Sequence, residues 1–137
     1  RPATEDDCRL LFDWANEPGV RNASFRTEKI EWADHSIWFL KNLNNPNSHI
    51  LIFEVDGEAA GQIRFEKNSF ENHLLISFSL DKKFRGKSLG KDIVEKGINY
   101  LVDKISAPIL CVAYVKKENI PSQKAFLKNE FLLVSES

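Results

Sequence analysis

The chain has 137 residues, 42% of them apolar and 28% charged, with a formal net charge of -1. That length suits one domain with its own core, and the near-neutral balance excludes the basic excess of a dedicated nucleic-acid binder. No apolar run approaches a membrane span and no signal peptide is visible. The two cysteines, Cys8 and Cys111, lie far apart with no nearby ligand cluster, so they suggest neither a zinc site nor a disulfide framework. A single cytoplasmic domain over residues 1–137, without metal, is the expectation. Because the sequence contains no Met, it is also expected to be trimmed ahead of Arg1.

Arg1-Pro2-Ala3 reads as the tail of a strand. Thr4 with Asp7 resembles a helix cap with an acidic third position, and Cys8, Leu11, Phe12 and Ala15 then recur at helical spacing. Asn16-Glu17-Pro18-Gly19 should stop that helix. Val20 to Ile30 is polar and irregular and reads as a long loop, a common carrier of specificity. A second helix is expected from about Glu31 to Asn44, with Trp32, Ser36, Phe39 and Leu43 on one stripe. Ile50 to Val55 and Ala59 to Glu66 are strands joined at Asp56-Gly57, a strong hairpin signal. Gly61 within the second strand marks a bulge or a close backbone approach. Asn68 to Asn72 is a loop, and Leu74 to Leu80 a third strand completing an antiparallel meander. A helix follows with Ile93, Val94, Gly97, Ile98 and Leu101 on one face, ending near Ile105. Ile109 to Val115 is then a strand parallel to Leu74–Leu80. Pro121 opens a short helix, and Phe131 to Val134 forms a last strand, cut short.

The informative stretch is the turn Leu80-Asp81-Lys82-Lys83-Phe84-Arg85-Gly86-Lys87-Ser88-Leu89-Gly90-Lys91. Small residues ahead of a helix let unpaired amides converge on an anion, with the helix dipole behind them. Asp81 stands where a P-loop needs glycine, and a dinucleotide fingerprint needs a third glycine. The pattern R-x-x-G-x-G matches at Arg85 and Gly90, with Ser88 in place of the middle glycine. Taken alone, the turn is equally well a tight strand-to-helix connection with solvated lysines.

The whole order of elements, with that turn between a strand and a long helix, resembles the GNAT acetyltransferase family. The segment Val115-Lys116-Lys117-Glu118-Asn119-Ile120-Pro121-Ser122 resembles the family's second signature, which leads into the next helix. The resemblance implies an α/β (α+β) fold with a mixed central sheet, flanking helices and a splay beside Leu74–Leu80. It further implies acetyl-CoA as co-substrate and a primary amine as acceptor. Carried over, Gly86, Lys87, Ser88, Leu89, Gly90 and Lys91 offer backbone amides to the pyrophosphate, and Arg85 begins that loop. Phe78, Ser79 and Leu80 pair with the pantetheine as a missing strand would, Asn119 hydrogen-bonds it, and Phe126 packs on it. Developing negative charge on the carbonyl oxygen needs a donor such as an N–H near Leu80.

The sequence departs from the family pattern in three places. Phe126 stands where many members have a tyrosine that protonates the leaving thiolate, so Ser122 or water has to substitute. Ser88 fits only with a negative φ or an outward hydroxyl. Glu130 replaces a glycine, so Asn129 is expected to close the preceding helix.

Trp14-Ala15-Asn16-Glu17-Pro18-Gly19-Val20-Arg21, then His35 with Trp38-Phe39, then Gly61 to Phe65, is similar to a branch that acetylates nucleotide-linked amino sugars and lies close to ribosomal-protein N-terminal acetyltransferases. A nucleotide sugar is favoured, with a protein N-terminus or a catalytically silent CoA-binding domain as alternatives. His35, His73 and Glu66 are candidate bases, an imidazole being suited to neutral pH. The residues alone favour the plainer readings: His35 as a packing partner of Trp38 or Phe39, His73 as a loop residue and Glu66 as a solvated strand end. Arg21 and Arg64 are candidate phosphate ligands, with Phe25 and Trp38 beside them on the acceptor side. A homodimer is compatible with this reading.

Overall fold

The computed structural model describes residues 1–67, 73–105 and 110–134. Its sheet is mixed, with strands β1 (Ser48–Val55), β2 (Glu58–Lys67), β3 (Leu74–Leu80) and β4 (Cys111–Val112) in that spatial order. β1, β2 and β3 form the expected antiparallel meander, and β4 joins β3 in parallel. The β1–β2 hairpin turns at Asp56 (φ 52°) and Gly57 (φ 79°), both left-handed as the tight hairpin turn demands. The expected loop at Asn68 to Asn72 lies outside the described residues.

The period-two alternation of β1 sorts the interior into two cores. Leu51 and Phe53 face Ile63, Phe65, Ile93, Val94 and Leu101 under the long helix α4 (Gly90–Lys104). Ile50 and Ile52 face Leu11, Trp14 and Phe39 under helices α1 (Cys8–Ala15) and α3 (Trp32–Leu43). The sheet is therefore covered on both faces. Residues 1–3 run beside β1, with Ala3 N–H donating to the Ile50 carbonyl at 2.9 Å and Pro2 bridging Leu51. The Thr4–Asp7 cap forms as expected, and Arg1 holds the Asp7 carboxylate at 2.9 Å.

Three expectations are corrected. The stretch expected to be a loop begins with a six-residue helix, α2 (Pro18–Ala23). Glu17 caps it by accepting the Val20 N–H at 3.2 Å, and Pro18 occupies the first turn, where a missing N–H costs nothing. The same Glu17-Pro18 pair that ends one helix starts another. The strand expected over Ile109 to Val115 is reduced to Cys111–Val112, Ile109 itself lying outside the described residues. No strand forms over 131–134, where Leu132, Leu133 and Val134 are exposed.

Helix α5 (Ile120–Leu127) ends differently from expectation too. Phe131 N–H donates to the Phe126 carbonyl and Glu130 N–H to that of Leu127, with Glu130 left-handed at φ 69°. This is the Schellman closure, completed by the Phe126–Phe131 ring contact at 5.0 Å. Glu130, not Asn129, takes the position usually given to glycine. Asn129 instead donates its side-chain amide to the Ala125 and Lys91 carbonyls, tying α5 to α4.

Candidate active site: a split in the sheet

β3 and β4 pair only at Leu74–Cys111 and Leu75–Val112. Beyond Leu75 the two segments separate, and an open cleft of about 1420 Å³ runs through the gap. Ladder parity shows what β3 presents there. Asp81 N–H donates to the Ala60 carbonyl, and the Ser79 carbonyl lies against Gly61, so the odd residues turn their backbone toward β2. Leu74 N–H donates to the Leu110 carbonyl on the opposite side. Backbone direction alternates along a strand, so Ile76, Phe78 and Leu80 turn theirs toward the gap. Phe78 and Leu80 are thus placed to pair with an extended ligand. Ser79 is not; its backbone belongs to β2, and its hydroxyl accepts a 3.1 Å bond from the buried Gln62 amide.

The close approach expected at Gly61 is present. A Cβ there would lie 2.5 Å from the Ser79 carbonyl oxygen, so only glycine lets β2 and β3 meet at that point.

Below the gap the chain turns into α4. Asp81 accepts the Lys83 N–H and the Trp14 indole N–H, the latter at 2.7 Å, which fixes the start of the turn to α1. Gly86 (φ 75°) and Ser88 (φ 59°) are both left-handed. Ser88 therefore fails the negative-φ condition, and it is exposed. α4 has no side-chain cap, and its first amide paired within the helix is Ile93 to Leu89. The N–H groups of Gly90, Lys91 and Asp92 precede it without intrahelical partners, the arrangement that accepts an anion. Gly86, Ser88, Leu89, Gly90 and Lys91 line the cleft, whereas the Lys87 ammonium lies over the Phe84 ring at 5.6 Å. Arg85 does not point its charge at the loop's centre. Its guanidinium donates to the Leu80 carbonyl at 3.1 Å and to Glu17 at 2.6 Å.

Across the gap, Asn119 caps α5 by accepting the Ser122 N–H at 3.3 Å, which leaves its NH₂ as the group able to reach a ligand. Asn119, Ser122 and Phe126 all line the cleft. Phe126 is buried and meets Phe78 edge-to-face at 5.5 Å, closing the apolar floor between β3 and α5.

The other end of the cleft is lined from α2, the following loop and α3, including Arg21, Phe25, Arg26, Glu28, Lys29, Asp34, His35 and Trp38, with Gln62 and Arg64 from β2. Arg21 is committed to its own loop, donating to the carbonyls of Ala15 (2.6 Å) and Arg26 (2.9 Å) and to Ser24. Arg64 lies over the Trp38 ring at 4.9 Å and pairs with Glu66 at 3.2 Å. Its side chain keeps 36% exposure, so it is reachable through the cleft although protein surrounds it. Burial lowers the pKa of both arginines from the usual value. Phe25 is exposed at the rim.

His35 is buried among Phe12, Trp32, Trp38 and Phe39, and its Nε2 lies 3.0 Å from the Cys8 carbonyl. A carbonyl can only accept, so Nε2 carries the proton and Nδ1 the lone pair. Burial pushes its pKa below the usual imidazole value, ahead of the opposing effect of the Cys8 bond. His73 is buried just before β3 and lies outside the cleft lining, as does Glu66. Among the described residues no cluster of His, Cys, Asp and Glu could hold a metal, and no helix is long and apolar enough to cross a membrane.

Sequence reasoning missed Glu17, Asp34, Gln62 and Tyr114, all at or beside the cleft. Glu17-Pro18 was the one available signal, as a cap followed by proline.

A sheet split beside an uncapped helix N-terminus, with a strand edge left open between them, makes a site for a long extended ligand that carries an anionic group. Comparison with known proteins agrees. The model of the acetyltransferase (GNAT) domain matches residues 1–132, and the chain belongs to that family of acetyl-CoA-dependent acetyltransferases. Similar solved structures include a domain from Methanocaldococcus jannaschii (19% identity, 100% of this chain and 89% of that one, TM-score 0.81). Another is the aminoglycoside acetyltransferase AAC(6')-Ib with coenzyme A (18%, 93% and 80%, 0.76). A third is the ribosomal-protein α-N-acetyltransferase RimL with coenzyme A (15%, 98% and 80%, 0.80). No curated protein matches the chain by sequence.

Proposed function

We propose that this acetyltransferase moves an acetyl group from acetyl-CoA to a primary amine on a nucleotide-linked amino sugar. The observation that supports this acceptor is the charge of its end of the cleft. Four cationic residues, Arg21, Arg26, Lys29 and Arg64, line it with two acidic ones, Glu28 and Asp34, and a third carboxylate, Glu66, pairs with Arg64, which leaves one positive charge in excess. Such a lobe favours an acceptor carrying phosphate and disfavours a polycation. Arg64 is the cation best placed to take a phosphate, because Trp38 supports its flat face while the edge stays reachable. Arg21 serves by holding the loop in shape.

Acetyl-CoA supplies the activated acyl group and a thiolate leaving group. In this reading the amides of residues 86–91 receive its pyrophosphate, while the gap-facing backbone of Phe78 and Leu80 and the Asn119 amide hold the pantetheine. The Leu80 N–H, turned toward the gap, is the donor assigned to the developing oxyanion. The acceptor ammonium must lose a proton before attack. His35, through Nδ1, is the imidazole that lines the cleft, and its lowered pKa keeps the lone pair available at neutral pH. Ser122, at the mouth of α5, is the hydroxyl assigned to the departing thiolate. His73, outside the lining, carries no role here.

The test is thiol release from acetyl-CoA with three acceptor sets: nucleotide-linked amino sugars, aminoglycosides and peptides with free N-termini. Release confined to the first set, and reduced by Arg64→Gln through the acceptor KM, is the expected result. Peptide-dependent release would instead indicate an N-terminal acetyltransferase. CoA binding without release for every amine would indicate a silent CoA-binding domain.

A further inference from the structure

Helix α2 has no buried residue. A six-residue helix without an apolar anchor is not held by packing, so its position at the acceptor end of the cleft rests on polar ties. Two are present. At its start the Glu17 carboxylate receives the Arg85 guanidinium at 2.6 Å. At its last turn the Asn22 carbonyl accepts the Lys116 ammonium at 2.8 Å. The two partners lie on opposite sides of the split, Arg85 after β3 and Lys116 after β4. α2 therefore straps across the gap through which the acyl group must pass.

The first tie is the more consequential, because Arg85 is the residue from which the 86–91 loop departs. Its guanidinium sits between the two halves of the site: one edge on the Leu80 carbonyl, the other on Glu17, with Gly19 packed so closely that a Cβ would lie 2.7 Å from Arg85 Nη1. Glu17 simultaneously accepts the Val20 N–H. One carboxylate thus fixes both the first turn of the acceptor-side helix and the cation that frames the donor loop.

We infer that Glu17 is a positioning residue which, through Arg85, couples the donor loop to helix α2, so that filling the donor site orders the acceptor side before the amine arrives. The inference rests on the donor reading given above. Coupling of this kind is a difference in binding free energy between two states, usually worth about 5- to 150-fold in an equilibrium constant.

Hydrogen exchange with coenzyme A alone as probe tests it without knowledge of the acceptor. In the wild-type protein, CoA should slow exchange at the loop and α4 amides of residues 88–92, and also, by about fivefold or more, at the Val20 and Arg21 amides of α2. Glu17→Gln keeps an acceptor for the cap but removes the ion pair; the loop should still be protected, while the CoA-dependent slowing at Val20 and Arg21 should disappear. Lys116→Ala guards against simple fraying, since it frees the other end of α2. Exchange there should rise at baseline yet still respond to CoA. Loop protection without any response in wild-type α2 would overturn the coupling and leave the donor reading standing. So would an unchanged response in Glu17→Gln, or a response lost equally in Lys116→Ala. Absence of CoA protection at the loop itself would overturn the donor reading and the coupling with it.

Discussion

Replacing Asn119 separates two jobs that one side chain performs. Its Oδ1 caps α5 through the Ser122 N–H at 3.3 Å, and its NH₂ is the group assigned to the pantetheine. Alanine removes both. The lost cap costs about 1 kcal/mol, which for a domain of this size lowers Tm by about 3–5 °C. Aspartate keeps the capping oxygen and adds negative charge at a helix N-terminus, worth about 0.3–1 kcal/mol in its favour, so Tm should hold or rise. Both variants lose the donor. A hydrogen bond of ordinary net worth, about 0.5–1.5 kcal/mol, corresponds to about two- to twelvefold in acetyl-CoA affinity. Scanning calorimetry reads the first effect and isothermal titration with acetyl-CoA the second. Aspartate with wild-type affinity would refute the placement of Asn119 against the pantetheine, whatever alanine does.

Gly61→Ala should destabilise the protein by about 1–3 kcal/mol, because its Cβ would lie 2.5 Å from a backbone oxygen that cannot step aside; an unchanged urea midpoint would contradict the close approach of β2 and β3. At Ser88 (φ 59°), valine should cost about 1–2 kcal/mol while glycine is neutral or mildly stabilising, with the Tm difference between the two variants as the readout. Equal Tm values would count against a left-handed backbone there. Burial pushes the pKa values of His35 and His49 below the usual imidazole range. The unfolded chain therefore takes up protons first: the stability these residues contribute is complete above the unfolded value of about 6.5 and is lost as pH falls through their lowered folded values. Denaturation midpoints should decline below pH 6.5, and less steeply in His35→Gln; a parallel decline in that variant would remove His35 from the account.

The parts of the fold that were legible in sequence are those whose signal is local. Asp56-Gly57 announces its hairpin because few other residues accept two left-handed positions, and Thr4 with Asp7 announces a cap within four residues. The turn into α4 was legible for the same reason, since glycines and cations sit next to one another in the chain. Helix α2 was not, because six residues with no buried side chain leave no apolar periodicity to read. Phe131 to Val134 misled in the opposite sense. Its composition is that of a strand, but only Phe131 finds a partner, against Phe126, and the three residues after it stay exposed. The site's ties were hidden by distance along the chain. Glu17 and Arg85 are 68 residues apart, and Trp14 and Asp81 are 67 apart. Nothing in composition or spacing joins either pair. The backbone role given to Ser79 failed on parity, which depends on whether Asp81 or Leu80 pairs with β2.

That parity has a consequence for how such a protein can change over generations. In the proposed reading the donor side is recognised through the Phe78 backbone, the Leu80 amide and the amides ahead of α4, groups that every residue except proline carries. Substitutions on β3 that respect packing leave these groups where they are. The proposed acceptor end is built from side chains, Arg64 on Trp38 above all, and each replacement there would alter what can be held. Drift along the chain should therefore retain the acyl donor and redistribute the acceptors.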